Sequence, residues 1–121
     1  MELQGKKAIV FGGTSGIGLA TTKKLSAEGT DVIALSRDPS KAGQMPANVT
    51  LKQIDVLDES ALASFFEENA PFDILITAAT GGSRSIGPFL EMDLDGYKAS
   101  FAKLWGYAHV VRHGTKHLTQ H

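Results

Sequence analysis

Residues 7–20 read KAIVFGGTSGIGLA, an apolar run that passes directly into glycines at 12, 13, 16 and 18 and then into a helix-like stretch. A short, unbroken apolar run suits a strand covered on both faces. Glycine tolerates positive φ and leaves the backbone bare, which a tight turn from strand into helix requires. A glycine cluster alone could be a loose turn. Here it sits where a strand hands over to a helix, the first unit of an alternating α/β arrangement.

The rest of the chain repeats that alternation. DVIALS (31–36), VTLKQID (49–55) and DILIT (73–77) are further strand candidates, the third strand alternating at Val49, Leu51 and Gln53 as nearer an edge. The first helix carries Ile17, Thr21 and Leu25 near one face and stops at Gly29. Pro39, Gly43 and Pro46 allow at most a short helix between the second and third strands. Asp58 or Ser60 can cap a helix whose Leu62, Phe65 and Phe66 face the sheet, with Pro71 after its end. Residues 95–117 have the length and composition of a long helix with Phe101, Leu104, Ala108 and Val111 on one stripe, weakened by Gly106 and Gly114. Right-handed crossovers turn this order into a Rossmann-like doubly wound parallel sheet, four strands in the order 3-2-1-4, within one domain over residues 1–121. The sequence stops after the helix that follows the fourth strand.

Bulk properties narrow the function. With 121 residues and 42% hydrophobic composition, one domain can bury a core. Lys plus Arg number 12 against 13 Asp plus Glu, so a net charge of -1 gives no electrostatic reason to expect nucleic acid or an anionic membrane as partner. The absence of cysteine removes disulfides, thiolate catalysis and cysteine metal sites, and suits a cytoplasmic location. No stretch approaches the roughly 20 apolar residues of a membrane span, and the first apolar run is too short for a signal peptide, so the chain is expected to be soluble.

A phosphate against a helix N-terminus needs backbone with no side chain in the way. A Walker-type loop also needs Lys and then Ser or Thr after its last glycine, whereas Gly18 precedes Leu19 and Ala20. The stretch from Gly12 through Thr14, Ser15, Gly16, Ile17 and Gly18 fits a dinucleotide-binding turn instead. A carboxylate at the end of the second strand would receive the ribose 2′-hydroxyl of NAD; a cation there would receive the 2′-phosphate of NADP. That strand ends in Ser36 and Arg37, which favours NADP, with Asp38 keeping NAD possible.

GGTSGIG resembles the Gly-x-x-x-Gly-x-Gly signature of the short-chain dehydrogenases/reductases, and the likeness runs over the entire chain, to that family's N-terminal, cofactor-binding half. The resemblance implies an adenine-contacting role for Asp55 and Val56 in DVLD, and places Ala78, Ala79 and Thr80 beside the cofactor, within the stretch Thr77-Ala78-Ala79-Thr80 that stands where the family carries Asn-Asn-Ala-Gly. It implies hydride transfer between nicotinamide and a carbonyl or alcohol. The family's Ser and Tyr-x-x-x-Lys are absent: Tyr97 is followed four residues on by Phe101, and Tyr107 by Val111. No catalytic residue is therefore assigned. Phe11 replaces the usual threonine, and Lys103 falls where the family's helix carries a catalytic Asn, as a water-borne proton carrier or a plain helix-face lysine. The alternative is a non-catalytic nucleotide-binding or metal-bridged assembly module.

His109, His113, His117 and His121 recur every fourth residue. Neighbours one turn apart can chelate an ion such as zinc, but the strip drifts by about 40° per step, so four cannot converge. The other reading is a solvated or interface stripe, with no acidic ligand in the segment and with Arg112 and Lys116 adding repulsion. Finally, a fourth strand without an outer neighbour, and a long helix with Leu104, Trp105, Tyr107 and Val111, predict a homo-oligomer through that edge, that helix or both.

Overall fold

The computed structural model describes residues 2–79 and 85–120. Four strands, β1 (Lys7–Phe11), β2 (Asp31–Ser36), β3 (Val49–Gln53) and β4 (Ile74–Thr77), form one parallel sheet in the order β3-β2-β1-β4. This is the expected order. The helices are α1 (Gly16–Ala27), α2 (Glu59–Asn69), α3 (Leu94–Ala99) and α4 (Ala102–Gly114), with a 3-10 turn at Pro39–Ala42 in the second crossover. Phe11 aligns with Leu35 on one side and Thr77 on the other, and Ser36 aligns with Gln53. All four strands therefore release their chains at the same end of the sheet.

Alternation along β1 divides the core between the two faces. Ala8 and Val10 meet Leu25 and Val32 on the α1 side. Ile9 and Phe11 meet Leu62, Phe65, Phe66, Phe72 and Val110 on the side of α2 and α4. The second face is held by aromatic edges, with Phe11 5.6 Å from Phe66 and 6.0 Å from Phe65 between ring centroids. Phe11, fully buried, thus fills the core from the position where a threonine was expected.

Of the two candidate caps of α2, it is Asp58 that accepts Ala61 N–H. Three expectations need correction. On α1 the buried residues are Gly18, Thr22, Leu25 and Ser26, while Ile17 is 83% exposed. Small residues face the sheet because this helix begins so close to the strand end that Thr22 Oγ1 bonds Gly13 O. The long helix forms in two pieces and ends in a 3-10 turn, Thr115–His117. At the break Ser100 Oγ bonds Tyr97 O at 2.6 Å, and the Phe101 amide reaches Lys98 O in a three-residue step.

The expected stripe also faces outward: Phe101, Leu104 and Val111 are exposed, and the buried residues of α4 are Gly106, Val110 and Gly114. A Cβ at Gly106 would lie 2.6 Å from Val56 Cγ2, and one at Gly114 2.6 Å from Phe66 Cζ. The glycines that weaken the helix in isolation are the points at which it packs.

The outer edge of the sheet is not bare throughout. Phe72 pairs in parallel with Leu118, Thr119 N–H bonds Phe72 O at 2.8 Å, and the Asp73 carboxylate joins Lys7 N–H to Thr119 Oγ1.

Candidate cofactor site

Where the strands release their chains a cleft of about 400 Å³ opens. Its floor is the turn at Gly12, Thr14 and Ser15, with Ala78 and Ala79 after β4; Ser36, Arg37, Asp38 and Lys41 form one wall, and Asp55, Val56 and Leu57 another. Most residues expected at the site thus converge from four segments. Gly16, Ile17 and Gly18, in the first turn of α1, are not among the lining residues, and Thr80 lies outside the described residues.

The glycines divide the work. Gly12 N–H is fixed to Leu35 O at 2.7 Å, and a Cβ at Gly18 would lie 1.8 Å from Gly12 O, so backbone here packs directly on backbone. Gly16 differs: its φ of +54° sits in the left-handed region and a Cβ would meet nothing within 4 Å. Ser15, the N-cap of α1, makes no side-chain capping bond, so its hydroxyl does not occupy the first-turn amides as the Asp58 carboxylate does in α2.

Thr14 Oγ1 donates to Ser36 Oγ at 2.7 Å, tying the turn to the end of β2 and leaving Ser36 its own O–H to donate. Gln53 Nε2 holds the Arg37 carbonyl at 3.0 Å. Asp38 accepts from the Ser40 hydroxyl at 2.5 Å and the Ser40 amide at 3.3 Å, capping the 3-10 turn. The Ser40 hydroxyl holds its carboxyl below the ordinary carboxylate value. The same turn carries Lys41 to the cleft as a second cation beside Arg37. Sequence reading missed Lys41; the Asp38-Pro39-Ser40 start of a helical turn was the available signal.

On the opposite wall Asp55 Oδ1 accepts Leu57 N–H at 2.9 Å, and Asp58 N–H bonds Asp55 O. This turn shapes the segment between β3 and α2.

Residues 6–121 match the short chain dehydrogenase family. The chain belongs to that family. It is 31% identical over 94 residues to the short-chain dehydrogenase/reductase prx4 of Penicillium rubens, covering 78% of this chain and 28% of prx4. A solved short chain dehydrogenase/reductase family protein superposes with a TM-score of 0.80 at 30% identity, over 96% of this chain and 51% of the other. A short chain dehydrogenase from Burkholderia cenocepacia in complex with NADP shares the fold, with a TM-score of 0.83 at 23% identity, over 96% and 49% of the two chains. The chain therefore spans about half the length of these solved relatives and less of prx4.

Short-chain dehydrogenases bind nicotinamide dinucleotides, and the family's signature glycines form the floor of the cleft and the start of α1 here. At the family's Asn-Asn-Ala-Gly position, Thr77 Oγ1 is buried with no hydrogen-bond partner among the described residues, and Ala78 and Ala79 add no polar side chain. Lys103 is exposed and does not line the cleft.

His109, His113 and His117 do not form a solvated strip. His109 Nδ1 lies 2.9 Å from Val56 O, His113 Nε2 lies 2.8 Å from Glu59 Oε1, and His117 stacks on Phe66. The acidic neighbour absent from the segment itself comes from α2. Hydrogen bonding from His113, then the charge of His109, holds the Glu59 carboxyl below its ordinary value. Among the described residues no three His, Asp or Glu side chains are placed to hold a metal; His121 lies outside them. No described helix is long and apolar enough to cross a membrane.

Proposed function

We propose that the chain binds NADP(H) as one dinucleotide-binding unit, the cofactor half of an oxidoreductase acting on a carbonyl or alcohol. The observation that carries this reading is the pairing of Arg37 with Lys41 at the cleft while Asp38 is engaged by Ser40. Two cations against one carboxylate, of which one oxygen is taken up by Ser40, suit a 2′-phosphate better than a bare ribose hydroxyl.

The residues present fit the group. Gly16 leaves open space beside first-turn amides of α1 that Ser15 does not cap, as a pyrophosphate requires. Ser36, Arg37 and Lys41 would receive the phosphate on the ribose, Asp55 and Val56 would flank the adenine, and Ala78 and Ala79 would lie along the cofactor's middle. The bound nicotinamide supplies or accepts hydride. The residues of this chain bind and orient, since no Tyr-x-x-x-Lys is present to move a proton.

Leu104, Trp105 and Val111 expose a broad apolar face on α4, beside Phe89, Tyr97 and Phe101, which stack edge to face. This supports a homo-oligomer through that helix. Calorimetric titration with NADPH, NADH and zinc tests the binding reading: NADPH binds most tightly if it holds, and equal or absent binding of both dinucleotides overturns the assignment. Sedimentation tests the assembly, which a strict monomer at all accessible concentrations would exclude.

A further inference from the structure

Of α4, only Ala102 lines the cleft, yet residues further along the helix pack against the segment that builds the cleft's far wall and against the start of α2 that follows it. Gly106 lies flush against the Val56 side chain, His109 meets the Val56 carbonyl, and His113 meets Glu59, the first residue of α2. A carbonyl only accepts, so the 2.9 Å contact requires His109 Nδ1 to carry a proton and donate it. The other ring nitrogen lies 3.8 Å from Glu59 Oε2. The ring is about four-fifths buried, wedged between the two helices.

The internal bonds of the wall, Leu57 N–H to Asp55 Oδ1 and Asp58 N–H to Asp55 O, fix its shape but not its distance from α4. Gly106 offers no side chain to hold it. We infer that His109 is a positioning residue for dinucleotide binding: its Nδ1–H anchors the Val56 carbonyl and so sets the wall against which the adenosine half of the cofactor rests. The inference rests on the NADP(H) reading above. An apolar side chain of similar size would fill the space between the helices but leave the carbonyl without this donor.

The test uses the full chain with His109→Leu, His109→Asn and Gly106→Ala. Asparagine places an amide N–H near the Nδ1 position; leucine keeps bulk without a donor; the alanine Cβ pushes Val56 from the α4 side. NADPH, adenosine 2′,5′-bisphosphate and reduced nicotinamide mononucleotide are titrated calorimetrically, with thermal melts alongside. His109→Leu is expected to weaken NADPH and the bisphosphate by about tenfold each, as for one lost buried hydrogen bond, and to leave the mononucleotide unchanged. His109→Asn should recover most of the loss. If the leucine variant does not melt cooperatively, His109→Asn and Gly106→Ala carry the comparison, with near-normal bisphosphate binding expected in the first and weakened binding in the second. Wild-type affinity in a folded leucine variant, an asparagine variant no better than leucine, or a mononucleotide loss as large as the bisphosphate loss overturns the positioning role alone. A wild-type chain that binds neither NADPH nor the bisphosphate overturns the dinucleotide reading and this inference with it.

Discussion

The two sides of the cleft are built differently. At the glycine turn, shape comes from backbone resting on backbone: Gly18 against the Gly12 carbonyl, and Gly12 against the peptide of Ala78 and Ala79. Across the cleft, residues 55–59 are held by side chains from a helix more than forty residues downstream, through His109 on Val56 and His113 on Glu59. The first kind of wall admits almost no substitution and announces itself in sequence. The second can be altered in steps, and its parts look ordinary until they are brought together.

The largest expected effect lies in the glycine turn. Gly18→Ala drives a Cβ to 1.8 Å from a backbone oxygen that cannot move aside, and should cost about 3 kcal/mol or more in denaturant unfolding. Gly16→Ala, with open space around it, should cost only about 1–2 kcal/mol from its left-handed φ. Similar losses in the two would mean that this turn is not held by close packing.

Next comes Gly16→Val, which should leave a folded chain but abolish the rise in melting temperature given by NADPH, because the side chain fills the space left for the pyrophosphate. An undiminished rise would remove the turn from the binding site.

Among the cations, Arg37→Ala should weaken NADPH by about 1–3 kcal/mol and leave NADH nearly untouched, the loss of one charge-assisted hydrogen bond. Lys41→Ala should show the same selectivity with a smaller loss, since an ammonium acts there as a point charge rather than a planar fork. Equal losses for both dinucleotides would place these side chains elsewhere on the cofactor.

The smallest effect belongs to the helix-held wall. The Glu59 carboxyl is held below its ordinary value of 4.5 in the folded chain, chiefly by the hydrogen bond from His113. Its contribution to stability is therefore fully present above that value and disappears as pH falls through the lower folded one. Glu59→Gln should lower stability slightly at neutral pH, where the contribution is fully present but the pair is exposed, and should flatten the acid limb below the ordinary value of 4.5 by the same small amount. An acid limb identical to wild type would show that the carboxylate and the imidazoles are not coupled in solution.

This contrast also explains what could be read in advance. Strand order, the turn and the Ser36–Arg37 end of β2 follow from local patterns: apolar runs, glycine spacing and the residue after a strand. Phe101, Leu104 and Val111 outweigh glycine in hydrophobicity and so point inward in the sequence pattern, whereas Gly106 and Gly114 bury by allowing approach to Val56 and Phe66. Ile17 yields to small residues in the same way, with Gly18 and Thr22 taking the inner face. Lys41 depended on a 3-10 turn that Asp38 caps, and the histidines on a partner helix that shares no sequence pattern with them.

The position of β1 between β2 and β4 has a consequence for how the chain acquires its shape. β2 follows β1 after a single helix, but β4 must cross two strands and α2 before it pairs with Ala8 through Phe11, a closure the Lys7 amide and Asp73 carboxylate make across 66 residues. Contacts between distant residues form late because the intervening loop must first be ordered. During synthesis the glycine turn can therefore form beside β2 before β4 has left the ribosome. The floor formed by Ala78 and Ala79 closes after the glycine turn, and the wall at Val56 only once α4 brings His109 to it, so the cleft is completed late.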